Sequence, residues 1–344
     1  MLLSCSYLRL IKDSFIICFL FASIITSVHA NPLDLSPLES PTKKGVIDIP
    51  PVDVNMELKR VSQHVYYVQG VAGIATDNQG FISNSSVIIT NEGIIIIDAL
   101  GTPSLAKELM RKIREISSLP VKKIFISHYH ADHFFGLQGL LSSGAEIIAP
   151  AGAQEYLARD GANVRLNERR KSLTPWVNKT TQLIPADRYL TEDSQFKFGG
   201  LDISVLQFGS AHSDGDLSLF VKQDKVLITG DLLFTGRIPF VGGDNTKQWV
   251  SRIDELAKLP AEWIIPGHGA AFNDFSIGSK LTKNYLNLLL KTMTEGVEEL
   301  LSFDEIYTNT NWSEFENLPA FKSGNRLNAY RVFLDAEKMA LESQ

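Results

Sequence analysis

The segment Ser127-His128-Tyr129-His130-Ala131-Asp132-His133 constrains this chain more than any other. It sets three imidazoles and a carboxylate within six residues. That density does not suit a packed apolar core, and these are the donors that borderline divalent metals such as zinc prefer. His128 and His130, two apart, can point to one side, while Asp132 and His133 turn past them on the tight loop that follows. Two adjacent metals can be served by such a segment. The apolar run Val121–Ser127 ahead of it reads as a strand, and function tends to sit where strands end.

Three more segments have the same context. Ser210-Ala211-His212-Ser213-Asp214-Gly215-Asp216 offers an imidazole on a glycine-containing turn. Leu227-Ile228-Thr229-Gly230-Asp231 puts a carboxylate after an apolar strand, and Ile265-Pro266-Gly267-His268-Gly269 sets a histidine between glycines at another strand end. Alone, each has a plain structural reading. Together they gather five of the chain's seven histidines into three short loop-like stretches. Of the other two, His64 reads as a strand residue without a catalytic role, and His29 lies near the N-terminus.

In that order, His-x-His-x-Asp-His, His, Gly-Asp and Pro-Gly-His resemble the metallo-β-lactamase fold superfamily of dinuclear metal hydrolases, over about residues 58–272. The resemblance implies an α/β fold, the four-layer αββα metallo-β-lactamase sandwich. It also implies two zinc ions, with His128, His130 and His212 on the first, Asp132, His133 and His268 on the second, and Asp231 bridging both. Asp132 is then the catalytic group, orienting an attacking water and accepting its proton. A shared carboxylate reduces the repulsion of two cations roughly 3.5–4 Å apart.

Asp231 also bears on the branch. Zinc β-lactamases resemble this pattern but use a cysteine for the second metal or lack an acidic bridge. A bridging aspartate is similar to thioesterases of the glyoxalase II group, to lactonases, and to exported hydrolases found with sulfur-oxidation and quinoprotein dehydrogenase systems. The stretches His212–Leu217 and Thr229–Phe240 look most like the last group. The implied activity is hydrolysis of an ester, thioester, lactone or amide-like bond in a small molecule. Rival readings are a persulfide dioxygenase with a single iron on His128, His212 and Asp231, a β-lactamase, and a non-enzymatic accessory protein of a periplasmic dehydrogenase. Arg237, six residues beyond Asp231, is a candidate for an anionic substrate group, against the plainer reading of a surface ion pair. Phe134-Phe135-Gly136 stands where many members have two glycines, and reads as core or as an apolar wall of the site mouth. Asp98, Asp214 and Asp216 read as groups that orient the ligand loops.

The rest of the chain sets the context. Residues 1–30 combine Arg9 and Lys12, the apolar run Phe15–Val28 and a Val-His-Ala end, which reads as a signal peptide and predicts a periplasmic or secreted protein with no membrane span after cleavage. Both cysteines, Cys5 and Cys18, lie inside it. The mature chain then has no thiol for a disulfide or a thiolate ligand. Residues 31–57 carry five prolines and read as a linker or extended arm. A net charge of −6 gives no footprint for nucleic acid. Ser104 is the expected cap of a helix to about Ser118, and Val226–Thr229 the expected strand before Asp231. Residues 273–344 read as a helical extension, packed on the domain or pairing copies into a homo-oligomer. Asn84, Asn178 and Asn311 begin Asn-x-Ser/Thr triplets.

Overall fold

The computed structural model describes residues 48–242 and 245–342, so the signal reading and most of the arm lie outside the described residues. The run Gly93-Ile-Ile-Ile-Ile97 shows how the layers arise. Successive side chains of a strand point to opposite faces. Ile94 and Ile96 therefore enter one apolar cluster, and Ile95 and Ile97 another. A strand buried on both sides needs a layer above and a layer below, and each of these isoleucines contributes about 2 kcal/mol by leaving water.

The first sheet holds seven strands in sequence order: β1 (Leu58–Arg60), β2 (Val65–Val68), β3 (Ser85–Thr90), β4 (Gly93–Ile97), β5 (Val121–Phe125), β6 (Glu146–Pro150) and β7 (Arg188–Leu190). It is antiparallel up to β4 and parallel beyond. Parallel neighbours need crossovers. These are α1 (Pro103–Ile116), the short α2 (Ala131–Phe134) and α3 (Leu137–Leu140), then α4 (Ala151–Ala158) and α5 (Asp160–Ser172). The second sheet has the order β12-β11-β10-β9-β8, from β8 (Ser194–Phe198), β9 (Leu201–Gly209), β10 (Asp216–Val221), β11 (Val226–Phe234) and β12 (Trp263–His268). The crossover helix α6 (Thr246–Leu256) joins β11 to its parallel partner β12. Four helices follow: α7 (Phe275–Gly278), α8 (Lys280–Glu298), α9 (Phe303–Asn309) and α10 (Phe321–Glu342).

Three apolar clusters separate four layers. One lies between the first sheet and α1 to α5, one between the two sheets, and one between the second sheet and α6, α8, α9 and α10. This is the αββα order. No described helix is long and apolar enough to cross a membrane.

Local details differ from the sequence reading for definable reasons. Thr102 caps α1, accepting from the Leu105 amide, because Pro103 takes the first helical position and leaves Ser104 inside the turn. Strand β11 runs past Thr229 to Phe234 because Gly230, at φ +54°, opens an irregular stretch that lets pairing with β12 resume. Asp231 therefore lies within a strand rather than after one. Residues 48–57 lie along the domain: Met56 is buried, and Asp53 exchanges two hydrogen bonds with the Gln79 side chain.

Candidate metal centre

Four chain segments converge where the two sheets meet. His128 and His130 follow β5, Asp132 and His133 lie in the single turn of α2, and His212 precedes β10. Asp231 comes from the irregular part of β11, and His268 ends β12. Glycine makes this approach feasible at Gly267, where a Cβ would stand 1.9 Å from Asp231 Oδ1.

The side chains fall into two groups. His128, His130, His212 and Asp231 form one, and Asp132, His133 and His268 the other, each with its donor atoms within 4.8 Å of one another. Asp231 stands between them. Its Oδ2 is 3.3 Å from His212 Nε2 and 3.3 Å from His268 Nε2, and its Oδ1 is 3.1 Å from His133 Nε2. Asp132 Oδ2 lies 3.3 Å from His268 Nε2. All seven predicted ligands are thus brought together.

Their far sides fix which nitrogen faces inward. His133 Nδ1 is 2.8 Å from Asp98 Oδ2, and His268 Nδ1 is 2.7 Å from the Ile82 carbonyl. With those nitrogens donating, each Nε2 presents a lone pair to the centre. His128 Nδ1 meets Ser127 Oγ at 3.0 Å, and Ser127 in turn donates to Asp98 through both its amide and its hydroxyl. Asp98 therefore braces two ligands. It does so from a left-handed backbone at φ +67°, a conformation aspartate tolerates better than most residues.

The donor set fits divalent cations. His130 Nδ1 lies 3.1 Å from His128 Nε2 and 2.8 Å from His212 Nε2, three ring nitrogens that cannot all satisfy one another. His133 Nε2 and Asp231 Oδ1 are buried without a hydrogen bond. Burial, aided by His212, pushes His130 down to about 3, and burial also holds His128 well below the usual imidazole value. Both rings are neutral donors. Burial opposes charge on Asp132 and Asp231 as well, yet His133 and His268 reverse it and hold both carboxyls well below their ordinary value. Against the same burial, Asp231 and its neighbours raise His133 and His268. Protons thus collect where positive charge is called for, and metal binding would displace them.

The remaining sequence candidates separate. Arg237 is 8% exposed, so it is no surface ion pair; its Nη1 donates to the Gly73 carbonyl and its Nε to that of Ile238. Burial lowers its pKa, while the charges of Asp132 and Asp231 raise it, which puts the guanidinium within their field. Phe134 and Phe135 are buried in the outer apolar cluster of the first sheet, which makes them core. Asp216 braces the His212 turn by accepting from the Ser213 amide and hydroxyl, whereas Asp214 is exposed beside Arg159. His64 pairs with Asp224 through Nδ1 at 2.8 Å and is absent from both ligand groups.

Several supporting residues escape sequence reasoning. Asn84 is buried, its side-chain amide donating to the carbonyls of Pro266 and Gly269 and its Oδ1 accepting from the Gly70 amide. It clamps the Pro-Gly-His turn, and its burial leaves no room for a glycan there. Ser83 Oγ donates to the Asp132 carbonyl. Phe234 stacks on His268 at 4.9 Å, and Trp249 meets His212 edge-on at 4.8 Å. Only Asn84 carried any sequence signal, and that signal was for a different property.

A family model described as the metallo-beta-lactamase superfamily matches residues 78–268. A metallo-beta-lactamase type 2 of Bacillus sp. (strain 170) is 22% identical over 72% of this chain and 86% of its own length. A linear primary-alkylsulfatase of Pseudomonas sp. (strain ATCC 19151) is 24% identical over 52% of this chain and 40% of its own. The solved structure of the inverting sec-alkylsulfatase Pisa1 from Pseudomonas sp. superposes with a TM-score of 0.64 at 18% identity, covering 81% of this chain and 50% of that one. This chain spans about half the length of that sulfatase.

Proposed function

The chain belongs to the metallo-β-lactamase superfamily, and on that premise we propose that it is an exported, two-zinc hydrolase that cleaves an ester, thioester, lactone or amide-like bond of a small molecule with water. The observation that supports this most directly is Asp231, whose two oxygens face histidines of both ligand groups. His128, His130 and His212 would hold one ion, and Asp132, His133 and His268 the other, with Asp231 shared. When bound, such a pair supplies an activated water and a Lewis acid for the scissile bond.

The chain's own groups do the rest. Asp98 keeps His133 and, through Ser127, His128 in the tautomers that face the centre. Asp132, held ionised by His133 and His268, accepts the proton of the attacking water. Arg237 contributes positive charge beside Asp132 and favours a substrate that carries a negative group.

A sulfate ester is the second reading, favoured by the alkylsulfatase relative and by the buried arginine. Metal content of the purified chain, followed by a panel of lactone, thioester, carboxylic ester, sulfate ester and β-lactam substrates, tests both. Two zinc ions per chain with carboxylic ester, thioester or lactone turnover support the first reading. Inorganic sulfate release at a higher kcat/KM favours the second, and one iron per chain with oxygen uptake overturns both.

A further inference from the structure

His130 is held differently from its fellow ligands. His128, His133 and His268 each fix the nitrogen that faces away from the centre by a hydrogen bond, with Ser127, Asp98 and the Ile82 carbonyl respectively. His212 has no such bond at Nδ1, but it is fully buried against Phe234 and Trp249. His130 turns Nδ1 inward, and among the described residues its Nε2 has no hydrogen-bond partner. Its ring is only partly buried. The ring's orientation thus depends on what packs against its outer edge. That edge meets the loop after β11. The Phe240 ring lies edge-on to it at 5.6 Å, and the Gly242 backbone comes so near that a Cβ there would stand 2.9 Å from His130 Cε1 and 3.0 Å from Nε2.

The loop takes its own support from the C-terminal helices. Asn328, 1% exposed on α10, meets it at two points: Nδ2 donates to the Pro239 carbonyl at 2.8 Å, and Oδ1 accepts from the Val241 amide at 3.0 Å. Arg331, three residues on, donates to the Val241 carbonyl and sets its guanidinium 4.7 Å from the centre of the Phe240 ring. The Ile238 amide donates to the Pro319 carbonyl, just ahead of α10. Asn328 is fixed in turn. Tyr285 Oη accepts from its Nδ2 at 2.9 Å and donates to Asn325 Oδ1 at 2.8 Å, and Asn325 Nδ2 donates to Tyr307 Oη at 3.0 Å. An amide is costly to bury beside Ala329 and Val332 unless its donors and acceptors are met, and a network that meets them favours one arrangement of the parts it joins. Here those parts are α8, α9, α10 and the loop beside the metal centre.

We propose that Asn328 is a positioning residue of the metal centre: it sets the 238–242 loop, and the loop, through Phe240, sets the ring of His130. The inference rests on the ligand grouping given above. It makes the helical extension part of the site without supplying a ligand to it. It also confines the effect to the ion that His128, His130, His212 and Asp231 would hold.

Zinc titration of the full chain against a chromophoric chelator, with Cys5 and Cys18 changed to serine, reads two binding constants, and thermal melts of the same samples read stability. Asn328→Ala should weaken one ion at least about tenfold and leave the other within about twofold. Phe240→Ala should do the same, at a half-buried position outside the three apolar clusters. Because both act through one ring, the double variant should bind no more than about twofold more weakly than the worse single one. Val332→Ala, buried on α10 but without a hydrogen bond to the loop, should lower the melting temperature and leave both constants unchanged. Two tightly held ions in Phe240→Ala or in a folded Asn328→Ala, equal weakening of both ions, losses that multiply in the double variant, or weakened zinc binding in Val332→Ala would each overturn the proposal. A parent chain that binds fewer than two zinc ions would overturn the ligand grouping, and this inference with it.

Discussion

A single carboxylate carries the proposed reading, and its neighbourhood allows almost no variation. Asp231→Ala removes the oxygens that face both ligand groups. Hydrolysis should fall by at least about 1,000-fold, roughly 4 kcal/mol of transition-state stabilisation, and both ions should bind more weakly. The fold should persist, because the three apolar clusters lie elsewhere. An Asp231→Ala protein that kept two tightly held ions would sink the bridging role. Gly267→Ala is the subtler test, since its new Cβ would overlap Asp231 Oδ1 and collide with the Gly230 carbonyl carbon at 2.7 Å. Metal affinity should drop by about 10–100-fold although no ligand has changed; equilibrium dialysis against zinc reads it directly. The ligands were legible because four of them crowd into one segment and the rest each follow a short apolar run beside a glycine or turn. The residues that orient them were not: Asn84 reaches the Pro-Gly-His turn from 182 positions away, and Trp249 lies on a separate helix. Local sequence encodes a donor's type but not the partner that a long-range fold brings to it.

Among elements, periodicity was readable where one face meets an apolar layer and unreadable where it does not. Helix α1 keeps Leu105, Leu109 and Ile113 on one buried stripe, so its span was legible. Helix α5 buries only Ala162 and Leu166 in thirteen residues, and β7 has three residues, so neither left a pattern. At the far end of β10 from His212, the turn after that strand is tied to the one before β2. Asp224 accepts from Ser62 Oγ and from the His64 amide, and meets His64 Nδ1 at 2.8 Å. Burial would raise the Asp224 pKa, but the Ser62 and His64 hydrogen bonds outweigh it and lower it. A carboxyl with a depressed folded pKa stabilises the fold above its unfolded value of about 4, and that contribution is lost as pH falls through the lower folded one. Asp224→Asn should thus cost about 1–2 kcal/mol at pH 7, and the gap from wild type should shrink as the pH drops below about 4. Denaturant melts at pH 7 and pH 3 decide the matter; a constant gap would remove the ionised carboxylate from the explanation.

For the whole molecule, family membership fixes the architecture more tightly than the substrate, because one fold hosts many reactions. No cysteine occurs in residues 19–344, and Asp231 stands between the two ligand groups; both should make any β-lactam turnover a side reaction. Its kcat/KM should be at least about 100-fold below that on the best ester, thioester or lactone, roughly 2.7 kcal/mol of transition-state binding. Parallel kinetics on the zinc-loaded protein give the comparison, and a carbapenem cleaved as well as the best of those substrates would reverse the ranking. The arrangement of the centre has one more consequence, for the order of events in biogenesis. Four of its ligands leave the first sheet in a single segment, while His212, 82 positions beyond His130, arrives with Asp231 and His268 on the second. No stretch of nascent chain holds the full set. The complement of cations should therefore be acquired only after the sheets have docked, and in refolding, zinc uptake should trail the return of native circular dichroism. An occupied centre would then report that both sheets are in place.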